Sequence, residues 1–433
     1  MDSIWSKDSE LPRFKKLAGN INTDVLIIGG GLAGILCAYF LQEENVDYVL
    51  AERKTICSGV TGNTTAKITA QHGLNYHRLL KSVGNERAQM YLDANQEAVR
   101  KFAVLCKEID CDFEQRTAYV YSKNDRRRLE EEADALSRLG IPARVTEDSP
   151  LPFETVGAVG FPEQAQFHPL KFAGSLARKL NIYEETFVKE LSENKAVTDH
   201  GEITFQKLIF ATHFPIDNKH GLYPLKMYQD RSYVIALENG PQMDGMYIDE
   251  AAGGMSFRNY KNHLLIGGGS HRTGRKGGNW EVLRNCARLY YPNLDERYYW
   301  AAQDCMTLDG IPYIGPYSRN MPGCYVATGF NKWGMTSSMV SAILLTDLIL
   351  GKENPYAPVF QPSRNMIKPQ LFVNGYHAVK NLLTISAKRC PHMGCALKWN
   401  KEEHSWDCPC HGSRFDGFGK LLDNPANGDL GER

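Results

Sequence analysis

Apolar residues fall in short blocks along this chain, and the spacing inside each block predicts the elements. Residues 24–28 (D-V-L-I-I) form a continuous apolar run with an acidic start, the length of a strand buried on both faces. A Gly-rich turn follows, then a helical pattern over about 32–42 and a second buried strand over 47–51. That strand–turn–helix–strand order is how a dinucleotide-binding fold opens. Residues 86–108 and 125–139 carry helix-spaced apolar positions among many charges, so 76–138 reads as mostly helical. From 158 to 268 strands alternate with short helices, with 208–211 and 264–266 as buried strands. Residues 337–350 form an apolar helix stopped by Gly351 and Pro355. Pro355, Pro358, Pro362 and Pro369 then mark a linker or an extended wrap before a last module that begins near Gln370. No internal repeat or low-complexity segment interrupts this order.

At 433 residues the chain is too long for one core and suits two or three units. Hydrophobic residues at 42% and charged residues at 23% are ordinary for a globular protein. Fifty basic residues balance fifty acidic ones, so nothing carries the electrostatic footprint of a nucleic-acid binder. The first residues lack a basic stretch followed by an apolar one, so no secretory signal is read. The most apolar long run, 339–350, contains Asp347 and is too short to span a bilayer. The expected location is cytoplasmic.

Cysteine usage changes the picture. Of eleven cysteines, seven are scattered between Cys37 and Cys324, and four crowd between Cys390 and Cys410. The crowded segment reads Cys390-Pro-His392-Met-Gly-Cys395 and then Cys408-Pro-Cys410-His411-Gly-Ser413. Each half offers one cysteine and one histidine at close spacing. A [2Fe–2S] cluster with two thiolates on one iron and two imidazoles on the other needs that set. Cys390 and Cys408 are assigned to one iron, His392 and His411 to the other. A structural zinc site with two Cys and two His is the alternative, although zinc fingers usually group the cysteine pair before the histidine pair.

The two segments resemble the cluster-binding loops of the Rieske family. That resemblance implies a cluster potential of about −150 to +300 mV and a disulfide between Cys395 and Cys410. Two departures stand out. High-potential members carry a tyrosine two residues after the serine, whereas this chain has Phe415, which lowers the expected potential. The scaffold ahead of Cys390 is also abbreviated, so either the loops lean on the rest of the protein or the cluster is unusually exposed.

The turn after the first strand reads Gly29-Gly30-Gly31-Leu32-Ala33-Gly34. Gly29 permits the turn, Gly31 lets the backbone approach a pyrophosphate, and Gly34 allows close helix–strand packing. Glu52, with Arg53 beside it, ends the next strand where a carboxylate takes ribose hydroxyls. Near the other end, Asp309-Gly310-Ile311-Pro312 is followed by a second Gly-rich turn, Gly329 to Gly334, that opens a helix with Met335 and Thr336. A helix N-terminus there stabilises negative charge on a reduced flavin. These motifs resemble the D-amino-acid oxidase and glycine oxidase superfamily over about residues 20–352. The resemblance implies FAD, with Thr61, Asn63 and Thr64 close to the flavin and Val188 against the adenine.

The expected fold is therefore α/β, a doubly wound FAD-binding fold of the glycine-oxidase type with an α+β substrate domain and a small all-β Rieske module. The divisions are 1–355 for the flavoprotein, 356–369 for the linker and 370–433 for the module. Within the flavoprotein, about 20–75, 185–215 and 305–352 bind FAD, and 76–184 and 216–304 form the substrate domain.

The superfamily resemblance implies oxidation of a C–N bond in a small substrate. Lys67, Arg258 and His271 are the catalytic candidates, with His72 a further polar group. The plainer readings are a phosphate or surface contact for Lys67, structural histidines, and a surface ion pair for Arg258. Gln303 to Thr307 stands where amino-acid oxidases carry a carboxylate-binding arginine, so an α-amino acid is not the expected substrate. Electrons would pass from FAD singly to the cluster and on to an external one-electron carrier, making a dehydrogenase rather than an oxidase. The alternatives are a reductase fed through the cluster, and an electron-transfer or redox-sensing protein without turnover.

Overall fold

The computed structural model describes residues 2–217 and 219–431. Strand β1 (Ile21–Ile28), helix α1 (Leu32–Glu43) and strand β2 (Tyr48–Ala51) form the expected opening unit. Strands β3 (Glu202–Phe210) and β4 (Met321–Thr328) extend the parallel part on one side, with β3 beside β1 and β4 beside β3, and Ile182–Tyr183 extends it beside β2 on the other. The sheet runs Tyr313–Ser318, β4, β3, β1, β2, Ile182–Tyr183. The continuous apolar run of β1 has a simple cause. Val25 and Ile27 enter the core shared with α1, while Leu26 and Ile28 enter a second core on the other face. Each such side chain contributes about 1.5–3 kcal/mol by leaving water. Helix α2 (Gly334–Ile349) packs against α1, and both are buried almost all round, which accounts for their lack of a polar stripe.

A second sheet of nine strands forms the wall of the substrate side. Its order begins Glu296–Thr307, Met227–Glu238, His263–Arg272, Ser256–Tyr260, Gly245–Asp249. The long helix Tyr76–Leu105 begins ten residues before the periodicity suggests, because Gly84 (φ 81°) breaks it inside. Its first turn is capped from another helix: the Glu132 carboxylate accepts the backbone N–H groups of Tyr76 and His77, both at 2.8 Å.

The proline-rich stretch is a strap. Val359 and Phe360 are buried, and Arg364 clasps Asp309 through two 2.8 Å bonds. Helix α3 (Pro369–Leu383) follows, an element the sequence pattern did not suggest. A four-stranded antiparallel sheet, Lys398–Asn400, Ser405–Asp407, Arg414–Asp416 and Leu421–Asp423, ends the chain.

Candidate functional site

A cavity of about 510 Å³ opens between the two sheets. The N-termini of α1 and α2 both face it, so the backbone N–H groups of two first helical turns are directed toward it. Gly29 (φ 111°) and Gly31 line one end, and a Cβ on Gly29 would sit 2.5 Å from the Ala211 oxygen. Gly34 stands behind the wall, where a Cβ would meet the Gly29 oxygen at 1.9 Å. No larger residue fits either position, so the chain turns tightly and leaves a concave edge for a phosphate. Glu52 and Arg53 line the same end. The Glu52 carboxylate accepts from Gly30 N (2.7 Å) and Lys54 N (2.8 Å), which fixes its direction. Thr61, Asn63 and Thr64 form one side, and the Thr61 hydroxyl accepts from Leu32 N at 3.0 Å. Val188 lies at the β2 end, and Gly334 and Met335 at the far end. Gly329 and Thr336 support the wall from behind, Thr336 by donating to the Thr69 oxygen at 3.1 Å. A cradle closed to any Cβ, a fixed carboxylate and two helix N-termini along one cavity fit a dinucleotide.

The catalytic candidates are placed differently from one another. Lys67 lines the cavity and donates to Thr65 Oγ1 (3.2 Å) and Ser256 Oγ (3.3 Å). Burial, and then repulsion from Arg258, hold its ammonium down to about 7. Arg258 stands outside the cavity lining, buried, and spends its guanidinium on the carbonyl oxygens of Thr65, Ala66 and Asn259. His271 stacks on Tyr233, and His72 is held by Tyr91 and stacked on Trp333. One group the sequence did not single out faces the cavity: desolvation pushes the Asp304 carboxyl up to about 6.

The last module presents two matching loops. Cys390 N donates to Cys395 O (2.9 Å) and Gly394 N to Cys390 O (2.9 Å). Cys408 N donates to Ser413 O (2.8 Å) and Gly412 N to Cys408 O (2.9 Å). Gly394 (φ 76°) and Gly412 (φ 85°) make the same left-handed step in each loop. The turns bring the His392 and His411 rings to 4.9 Å, perpendicular to each other. The Cys390 thiol is held below its ordinary value, first by hydrogen bonding from Cys408 and also by Ser413 and the N–H groups of His392 and Met393. His411 Nδ1 is buried with no hydrogen-bond partner among the described residues. Cys395 and Cys410 lie side by side between the loops. Two thiols in an amide-lined hollow opposite two imidazoles fit a mixed Cys/His cluster. Phe415 is fully buried and offers no hydroxyl to it.

The loops lean on the flavoprotein body. Gln229 Nε2 donates to His411 O (2.7 Å) and Asn424 O (3.0 Å), and Gln303 Nε2 to Gly412 O (2.9 Å). Arg272 reaches the Pro409 and Cys410 oxygens. Arg231 pairs with Glu403, which also pairs with Arg414, itself bonded to Asp407 and Asp423. Leu422 and Asn424 of the module line the dinucleotide cavity itself. At the junction His213 lines the cavity, with its Nε2 buried and unpartnered among the described residues. Its neighbour Phe214 places its ring 6.2 Å from His392 and 6.3 Å from His411.

Comparison with known proteins agrees with both halves. The model for "FAD dependent oxidoreductase" matches residues 24–348, and that for "Rieske [2Fe-2S] domain" matches residues 366–432. The chain belongs to the FAD-dependent oxidoreductase family. It is 35% identical to the Rieske 2Fe-2S iron-sulfur protein YhfW of Bacillus subtilis, over 98% of this chain and 96% of that one. It is 23% identical to the gamma-glutamylputrescine oxidoreductase of Escherichia coli, over 78% of this chain and 86% of that one. Glycine oxidase from Geobacillus kaustophilus shares the fold, with a TM-score of 0.65 at 20% identity, over 79% of this chain and 99% of that one. This oxidoreductase therefore has FAD and a [2Fe–2S] cluster as its cofactors. Among the described residues no helix is long and apolar enough to cross a membrane.

Proposed function

We propose that this oxidoreductase oxidises a C–N bond of a small amine-like substrate and passes the electrons singly to the cluster and on to an external carrier. FAD supplies a hydride acceptor and the cluster a one-electron acceptor. The observation that carries the reading is the His213–Phe214 step. One residue lines the dinucleotide cavity, and the next lies against both cluster histidines. With an electron outlet built into the wall, the protein works as a dehydrogenase rather than an oxidase.

Gly29, Gly31 and Gly34 shape the pyrophosphate edge, Glu52 and Arg53 take the ribose, and Val188 meets the adenine. Thr61, Asn63 and Thr64 lie along the flavin, with Gly329, Gly334, Met335 and Thr336 forming the turn beneath its ring. Lys67, whose ammonium is held down to about 7 by burial, accepts a proton from the substrate ammonium. Arg258 fixes the 64–66 backbone beside it, and His271 holds Tyr233 at the cavity wall. The Asp304 carboxylate suits a cationic substrate better than an anionic one, and the named activity of the E. coli relative points the same way. Cys390, His392, Cys408 and His411 hold the cluster, and a Cys395–Cys410 disulfide pins the loops. A panel of primary and secondary amines and polyamines, mixed anaerobically with the holoprotein, tests the reading. Bleaching of the flavin by a member of the panel supports it, and bleaching by none of them defeats it.

A further inference from the structure

Helix α3 is built inside out. Its inward residues are Asn374, His377 and Asn381, spaced three and four apart. Asn374 and His377 are tied to the body by polar bonds, Asn374 to Arg272 and Leu225 O and His377 to Arg275, while Asn381 donates back to His377 O within the helix. Its outward residues are Phe372, Tyr376, Val379 and Leu383, with Leu383 78% exposed. The stripe continues past the helix end through Ile385, 97% exposed, to Met393, 49% exposed. A helix that buries amides and shows water its large apolar side chains is unusual unless something covers that face.

Two facts say what covers it. The stripe ends on the cluster. Met393 follows the ligand His392, and a Cβ on Gly394 would touch Leu382 of the helix at 4.0 Å. The charge around it has one sign. Residues 354–401 carry seven basic residues and no Asp or Glu. Lys380, Lys388 and Arg389 border the stripe, and none is ion-paired with a carboxylate among the described residues. Arg389 is anchored at the helix end through the oxygens of Leu382, Thr384 and Gly394. A second copy of the chain placed here about a twofold axis would set these charges against themselves. A bilayer would cover the stripe, but would have no use for its ending on a cluster loop.

From this juxtaposition of an outward apolar helix face, an unpaired basic border and the first cluster loop, we infer that α3 is the docking surface for a small acidic one-electron carrier protein. An apolar centre with a charged rim is the anatomy of a short-lived electron-transfer interface, and the rim steers encounter. Each encounter moves one electron. The cluster is oxidised by one, and the metal centre of the carrier, at a potential at or above that of the cluster, is reduced by one. Two encounters balance one two-electron oxidation of an amine to an imine, which releases two protons to solvent. This deepens the proposed function by naming its outlet and rests on the cluster being that outlet.

The test uses the full-length holoprotein, reduced with dithionite and freed of excess reductant, so that it does not depend on the amine reading. The probes are an acidic blue-copper protein of the plastocyanin type and a basic c-type cytochrome, both of high enough potential to take an electron from a Rieske cluster, mixed in a stopped-flow instrument. The expected result is oxidation by the acidic carrier that slows steeply with salt. It slows about tenfold in Lys380→Glu/Lys388→Glu and also in Tyr376→Ser/Leu383→Ser. Reduction of ferricyanide, a small acceptor that needs no docking surface, stays at wild-type rate in both variants. Equal rates with both carriers, or no change in the variants, overturns the inference. So does variant-sensitive binding to phosphatidylglycerol vesicles, or a variant-sensitive dimer in sedimentation, with carrier rates unchanged. Failure of every amine to reduce the protein, with carrier docking intact, defeats the proposed substrate class and leaves the docking surface standing.

Discussion

The ring of Phe214 lies 6.3 Å from the imidazole of His411, centroid to centroid, and its chain neighbour His213 faces the dinucleotide cavity. The cavity that fits a dinucleotide and the paired Cys/His loops thus share a wall one dipeptide thick. The packing that makes the wall also holds the second Cys/His loop, since Gln229 bonds to both His411 O and Asn424 O from the body side.

Replacing Gln229 by Leu strips two carbonyl oxygens of their donor. An unmet buried polar group costs about 1–3 kcal/mol. The variant is expected to lose iron to a chelator faster than wild type while keeping its flavin. Iron and flavin released over time, measured on one sample, check this.

Phe415→Tyr adds a hydroxyl within the buried group that contains Cys390 and Cys408, the proposed ligand thiolates. A hydrogen bond to a charged group is worth about 1.5 kcal/mol, or about 60 mV for one electron. Spectroelectrochemical titration of the cluster is expected to move upward by that order. No change would mean that the new hydroxyl points elsewhere.

Lys67 is a cavity-lining base whose charge changes near neutrality, about one unit above the Asp304 carboxyl. Below about pH 7 it is protonated and cannot take a proton from an amine, so flavin bleaching by substrate is expected to rise with pH through about 7. Lys67→Met is expected to flatten that inflection and slow bleaching by about 100-fold, within the usual range for losing a general base. An unchanged profile in the variant would assign the titration to another group.

The Arg231–Glu403 pair is buried at both partners and joins the body to the module. Arg231→Met leaves Glu403 with Arg414 alone, and breaking a buried pair costs about 3–5 kcal/mol. The expected outcome is thermal loss of the cluster signal ahead of the flavin signal by a wider margin than in wild type.

Much of the site was legible in the sequence because its chemistry is local. The turn around Gly29 to Gly34 and the two cluster loops each complete their geometry within six residues, so spacing alone carries them. The opening strands and α1 were legible for the same reason, with ends shifted by at most three residues. The wall between the sites was not legible. Gln229, Gln303, Phe214 and Asn424 meet only after three distant segments fold together, and a lone glutamine in a strand gives no sign of its partner. Helix α3 was missed because its apolar residues face out, so its pattern does not announce a core-facing helix. The question of how a shortened scaffold supports its loops has a structural answer: Arg272, Gln229 and Gln303 bond to the loop backbone in place of the missing strands.

The most direct test of a shared wall that conducts is anaerobic photoreduction of the flavin followed by EPR of the cluster. Electrons introduced at the flavin are expected to appear as a reduced [2Fe–2S] signal within the same molecule, at a rate independent of protein concentration. A flavin that remains fully reduced beside an oxidised cluster would contradict the account.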